Sequence, residues 1–84
     1  MLLLDKSWGV IMTIKDIIKT KDYDYIAIYF SYPEGKIFAG CCRSEKGNLI
    51  SLDGDSYDDE MEVKNWEEWS APENSIEFGL TVVI

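Results

Sequence analysis

After residue 22, the chain consists mainly of short stretches in which apolar residues recur at every second position, and turn sequences separate these stretches. In the stretch DYDYIAIYFSY, Ile26, Ile28 and Phe30 fall on one side of an extended chain, and Tyr25 and Tyr29 fall on the other. Aromatic and β-branched residues at this spacing are typical of a β-strand with one face in a core. The pattern therefore predicts that a sheet forms the framework, with an aromatic second face.

Turn sequences place further strands close to the first one. YPEGK supplies a proline and a glycine suited to a tight turn, so the following KIFAGCC is predicted to pair back as a hairpin. SEKGN is a second turn, and LISL is the strand after it. SIEFGLTVVI alternates clearly up to the last residue, and its Gly79 indicates a bulge or a close approach.

The stretch MEVKNWEEWS fits two patterns. Alternation in its first half predicts a strand over 61–66 that breaks before Pro72. Val63, Trp66 and Trp69 also fall at the i, i+3 spacing of a helix. We favour the strand, and the helix stays open as the alternative.

A single short helix is predicted before the first strand. Thr13 is a suitable N-cap, and Asp16 favours the positive end of the helix dipole. The helix is predicted over residues 13–20, with an apolar face made of Ile14, Ile17 and Ile18. A helix this short is marginal alone and needs the sheet to pack on. The predicted fold is therefore α+β, with one short N-terminal helix packed on a four- to five-stranded, mainly antiparallel sheet.

Eighty-four residues suffice for one small domain, which we place at residues 12–84. Residues 1–11 are interpreted as an N-terminal extension or as an edge strand. They lack the basic start and apolar core of a signal peptide, and no stretch approaches the roughly 20 apolar residues of a membrane span. The adjacent Cys41 and Cys42 cannot build a disulfide framework, so a reduced, cytoplasmic setting is expected.

The chain carries a large excess of negative charge. Sixteen acidic residues face eight basic ones, which gives a net charge of -8. Binding to nucleic acid or to an anionic membrane needs clustered cations, so neither is expected. An acidic surface can serve solubility alone, or it can be steered towards a basic partner protein.

The usual signs of catalysis are missing from the sequence. There is no histidine, so a Ser-His-Asp triad, a Cys-His pair and a histidine-ligated zinc site are all excluded. No glycine-rich phosphate-binding loop occurs either. We therefore expect a protein that is not an enzyme, with no catalytic residues, no cofactor and no bound metal.

The stretch SLDGDSYDDE holds the densest cluster of carboxylates. As a calcium loop it is a poor match, because its glycine does not stand at the sixth position that an EF-hand requires. Two interpretations remain: a solvated turn that starts at Asp53-Gly54, or an acidic contact surface that continues into NWEEW. The contact surface would consist of Asp53, Asp55, Tyr57, Asp58, Asp59, Glu60, Glu62, Trp66, Glu67, Glu68 and Trp69.

Three stretches carry a resemblance when taken together: LDGDSYDDE, NWEEW and GLTVV, after the start MTIKDIIK. They resemble small acidic proteins of unassigned function carried by phages and mobile elements of Gram-positive gut bacteria. The resemblance spans residues 12–84. It implies a protein that acts by binding a host protein, and inhibitors of CRISPR nucleases are one such class.

The sequence therefore predicts a non-enzymatic acidic binding protein of the anti-CRISPR type. It would occupy a basic, nucleic-acid-binding surface of a host defence protein, such as a CRISPR nuclease, as a nucleic-acid mimic. One alternative is a structural protein that forms a homodimer through its aromatic sheet face. Another is an immunity protein or antitoxin that neutralises a toxin.

Overall fold

The structure is a computed structural model that describes residues 12–84. The predicted extension or edge strand at residues 1–11 lies outside the described residues. The elements in chain order are α1 (Ile14–Ile18), β1 (Tyr25–Tyr32), β2 (Gly35–Glu45), β3 (Asn48–Ser51), β4 (Asn65–Ala71), a 3-10 turn (Pro72–Asn74) and β5 (Ile76–Val83). Within this part of the chain, no helix is long and apolar enough to cross a membrane.

The five strands form one mixed sheet in the order β3-β2-β1-β5-β4. β1 and β2 form the predicted hairpin, and β2–β3 and β4–β5 are also antiparallel. β5 instead runs parallel to β1, with Ile26 opposite Leu80. Between β3 and β4 the chain passes from one edge of the sheet to the opposite edge. It then turns back and forms β5 beside β1, which makes this pair parallel.

The predicted α+β class is wrong. The strands contain between 4 and 11 residues each, whereas the one α-helix contains five, so the described chain is mostly sheet. The five-stranded sheet is mainly antiparallel, but it includes the parallel pair of β1 with β5. Five residues are little more than one helical turn and cannot form a separate helical layer.

The helix is shorter than the predicted 13–20 and is fixed mainly by its start. Thr13 and Asp16 form a capping box: the Thr13 hydroxyl accepts the Asp16 N–H at 3.2 Å, and the Asp16 carboxylate accepts the Thr13 N–H at 3.0 Å. The hydrogen bonds to Thr13 lower the pKa of Asp16. After Ile18 the chain leaves the helix, and the Thr20 hydroxyl donates to the Ile17 carbonyl at 2.9 Å.

The core lies between the helix and one side of the sheet, which we call the helix face. The largest fully buried side chains there are Tyr23, Ile14, Ile18, Ile26, Ile28, Leu80, Val82 and Cys42. Burying one such aliphatic side chain contributes about 1.5–3 kcal/mol. Burial raises the pKa of the Cys42 thiol to about 11, so this cysteine is a packing residue.

We call the opposite side of the sheet the open face. The ring centroids of Tyr25 and Trp69 lie 6.0 Å apart on it, and those of Tyr29 and Phe38 lie 5.4 Å apart. No helix or strand of residues 12–84 packs over these rings. The prediction of an aromatic second face with Tyr25 and Tyr29 agrees with the observed register, which also places Trp69 there.

Candidate functional site

The acidic loop, residues 52–64, joins β3 to β4 and carries most of the predicted site. Its start is a tight turn in which Gly54 adopts a φ of +89°, a conformation that favours glycine. The Ser51 hydroxyl accepts the Gly54 N–H at 3.1 Å and donates to the Asp53 carboxylate at 2.9 Å. Asp53 and Gly54 therefore form the turn that their sequence indicated.

Asp53 is held by hydrogen bonds from four groups. Its Oδ2 accepts the Tyr57 phenol at 2.7 Å and the Cys41 N–H of β2 at 3.2 Å. Its Oδ1 accepts the Asp55 N–H at 3.1 Å as well as the hydroxyl of Ser51. These donors, the Tyr57 phenol above all, lower the pKa of Asp53 to about 2. The Asp53 carboxylate therefore fixes the loop to β2.

Tyr57 anchors the middle of the loop. Its hydroxyl lies so close to Gly40 that a Cβ at residue 40 would collide with it, so the glycine makes room for the tyrosine. The ring packs, partly buried, against the core. The Asp53 carboxylate raises the pKa of the Tyr57 phenol above its ordinary value, because that bond requires the protonated phenol. Tyr57 thus serves the fold and is only partly available to a partner.

The last part of the loop is tied to the start of α1. The Lys15 N–H donates to the Asp59 carbonyl at 2.8 Å, and the Val63 N–H donates to the Met12 carbonyl at 2.7 Å. Val63 is buried in the core, and Thr13 forms an isolated antiparallel bridge with Glu62. The loop is therefore irregular but bound at its start, its middle and its end.

Five predicted site residues of this loop keep their carboxylates free of ion pairs with any of residues 12–84. They are Asp55, Asp58, Asp59, Glu60 and Glu62. The ion pairs within the described chain involve three other acids, namely Asp16, Glu68 and Glu45. Asp59 is half-buried and the other four are exposed. These five residues lie in one short segment of the chain, whose backbone is hydrogen-bonded to β2 and to the start of α1.

The other four predicted residues lie on β4 and divide between the two faces of the sheet. Trp66 and Glu68 pair with Val82 and Leu80, so they belong to the helix face. Glu67 and Trp69 belong to the open face because side chains alternate along a strand. The single surface that was predicted to join both tryptophans to the acids is therefore not formed.

Two of these β4 residues are used within the fold. Tyr23, which is buried, donates its phenol to Glu68, and Lys21 lies 3.4 Å from the same carboxylate. The bond from Tyr23 is the main cause that lowers the pKa of Glu68. Trp69 donates its indole N–H to the Thr81 hydroxyl at 2.9 Å, and its ring lies over Gly79.

Sequence reasoning did not single out the tip of the β1–β2 hairpin. Its large apolar side chains are 40–57% exposed; they are Phe30, Tyr32, Ile37 and Phe38. The signal was present, because SYPEGKIF places apolar residues on both sides of a turn. The last residue of β1 that pairs with β5 is Tyr29, so the tip extends beyond the neighbouring strand.

The chemistry of the loop is that of exposed carboxylates. Within the part of the chain that the structure describes, no group of three or more cysteine, aspartate or glutamate side chains is placed to hold a metal ion. The arrangement can present negative charge to a positively charged surface.

Comparisons with protein-family models, with curated proteins and with solved structures found no match for this chain. The resemblance to small acidic phage proteins therefore stays a prediction.

Proposed function

We propose that this chain is a non-enzymatic acidic binding protein that acts in the cytoplasm. Its acidic loop would occupy a basic, nucleic-acid-binding surface of a host defence protein, in the manner of an anti-CRISPR inhibitor. One observation carries the proposal: five carboxylates of one loop, from Asp55 to Glu62, have no cationic partner among the described residues.

The fixed backbone of the loop supports this function. A flexible acidic loop would lose conformational entropy when it binds, whereas a loop already tied down loses less. The ties are the bonds of Asp53 to β2 and of Asp59 to α1. A rigid row of carboxylates can take the place of phosphates on a basic surface, and the net charge of -8 accelerates the encounter.

The test compares two triple variants that change net charge equally. The loop variant is Asp55→Lys/Glu60→Lys/Glu62→Lys, and the control variant is Glu34→Lys/Glu73→Lys/Glu77→Lys. All six are exposed side chains. Because the two variants carry the same net charge, any difference in inhibition between them results from the positions of the changed charges.

The measurement is inhibition of DNA binding by a panel of purified CRISPR nucleases loaded with guide RNA. We expect the wild-type chain and the control variant to displace fluorescent duplex DNA from at least one nuclease, and the loop variant to fail. Rising salt should slow the association of the wild-type chain. Equal inhibition by both variants, or no inhibition of any nuclease, would contradict the proposal.

Self-association is the second candidate, favoured by the aromatic pairs Tyr25–Trp69 and Tyr29–Phe38 on the open face. Tyrosine and tryptophan are enriched in protein interfaces. Sedimentation equilibrium over a hundredfold range of concentration decides this point. A dimer that Phe38→Ser weakens would support it, and a strict monomer would exclude it.

A further inference from the structure

β4 forms one edge of the sheet, because it is the last strand in the order β3-β2-β1-β5-β4. One side of its backbone therefore has no neighbouring strand within residues 12–84. The strand is seven residues long, and all but Trp69 and Ala71 are exposed. The Trp66 N–H donates to the side-chain oxygen of Asn65 at 2.9 Å. The backbone of an edge strand of this length can pair with an added strand of another chain.

A tryptophan stands on each face of this edge. Trp66, on the helix face, is 42% exposed, and Trp69, on the open face, is half-buried beside Tyr25. A strand added beside β4 would place apolar side chains against both rings, one on each face. Backbone pairing would supply affinity, and the two rings would supply preference for particular side chains.

The charges at the centre of β4 decide which strand is accepted. Glu67 and Glu68 are adjacent and point to opposite faces. If two copies of β4 paired antiparallel about their central residue, Glu68 of one copy would lie directly opposite Glu68 of the other. Like charges directly opposite each other are destabilising, so this edge disfavours a second copy of itself.

Adjacent cations would match the same positions. Glu67 has no ion pair within the described chain, and Glu68 keeps half of its side chain exposed beside Lys21. We propose that the β4 edge binds an extended segment of a partner protein as an added strand, with two adjacent basic side chains opposite Glu67 and Glu68. This inference rests on the proposed function and describes how the chain would bind its basic partner.

The test uses synthetic peptides and the full chain. The probe is acetyl-TVKRVT-amide, which in an antiparallel register places lysine and arginine opposite Glu68 and Glu67 and valines opposite Trp69 and Trp66. The control peptide is acetyl-TVEEVT-amide. Amide chemical shifts of the ¹⁵N-labelled chain during a titration report both affinity and position.

We expect the basic peptide to shift the amides of Asn65–Ala71 and to bind at least about fivefold more tightly than the acidic peptide. Equal affinity for both peptides would overturn the proposal. Shifts confined to β3 or to the acidic loop would also overturn it, because the peptide would then bind elsewhere.

A charge swap tests the pairing itself. Glu67→Lys should weaken the basic peptide by roughly fivefold and should strengthen binding of acetyl-TVKEVT-amide, which places glutamate opposite residue 67. Glu73→Lys is the matched control, since it makes the same change of charge at an exposed site outside the strand and should leave both affinities unchanged. A swap with no effect on preference would overturn the assigned register.

The loop variant separates this inference from the proposed function. If the loop variant loses nuclease inhibition but still binds the basic peptide, the two sites act separately and the edge proposal stands. If nucleases are never inhibited but the peptide binds with the expected preference, the proposed function fails and the edge proposal stands.

Discussion

Tyr57 donates its phenol to Oδ2 of Asp53 at 2.7 Å, across the turn of the acidic loop. The same carboxylate oxygen accepts the Cys41 N–H of β2 at 3.2 Å. Asp53 therefore takes the place of a missing backbone partner at the point where β3 ends. A carboxylate that looks like part of a solvated cluster in the sequence is the group that attaches the cluster to the sheet.

Replacing Asp53 should destabilise the protein more than replacing Asp55, although both are aspartates of the same loop. Asp53→Ala leaves the Cys41 N–H and the Tyr57 hydroxyl without their carboxylate, whereas the Asp55 side chain has no such partners. Thermal unfolding followed by circular dichroism should show a clearly lower Tm for Asp53→Ala and a nearly unchanged Tm for Asp55→Ala. Equal shifts would mean that Asp53 does not fix the loop.

The stability that Asp53 provides should disappear in acid. Its pKa is about 2 in the fold and 3.8 in a model peptide, so the folded state favours the charged form. The contribution is therefore complete above about pH 4 and is lost as the pH falls towards 2. Urea unfolding of the wild type and Asp53→Asn should give a difference in free energy that shrinks across this window. A difference that grows on acidification would contradict the sign of the shift.

The local elements could be predicted from the sequence, but the class of fold could not. Alternation in YIAIYF and the turn at Pro33 determine the hairpin through contacts between neighbours in the chain. The parallel pairing of β1 with β5 depends on residues more than fifty positions apart, and no local pattern encodes it. The strand predicted at 61–66 instead spans Asn65–Ala71. Val63 belongs to the irregular end of the loop, where its side chain is buried in the core.

The sequence shows which acidic residues of the candidate site are neighbours along the chain, but it does not show which contacts they make. The acids of the loop do lie together, since they are neighbours in sequence. The role of Asp53 depends on the distant Cys41 N–H, and that of Glu68 on Tyr23, which are tertiary contacts without a sequence signature. Trp66 and Trp69 separate because an odd spacing in a strand places side chains on opposite faces.

Gly79 is required by the ring of Trp69. A Cβ at residue 79 would lie 2.6 Å from the indole, so Gly79→Ala must displace the ring from Tyr25 and Thr81. We expect a loss of about 1–3 kcal/mol in the free energy of unfolding. In a Trp69→Ala background the same change should cost much less, which a double-mutant cycle by urea unfolding measures. Additive effects would show that the two residues are not in contact.

Tyr23 joins the core to β4 through its phenol. Its side chain is 2% exposed and its hydroxyl donates to Glu68, so Tyr23→Phe removes one hydrogen bond while it keeps the packing of the ring. Because Glu68 can turn to water, we expect a loss of only about 1 kcal/mol in the free energy of unfolding. Tyr32→Phe, at the exposed tip of the hairpin, is the matched control and should change it by less than about 0.5 kcal/mol. Equal effects of the two substitutions in urea unfolding would show that the bond between Tyr23 and Glu68 does not stabilise the attachment of β4.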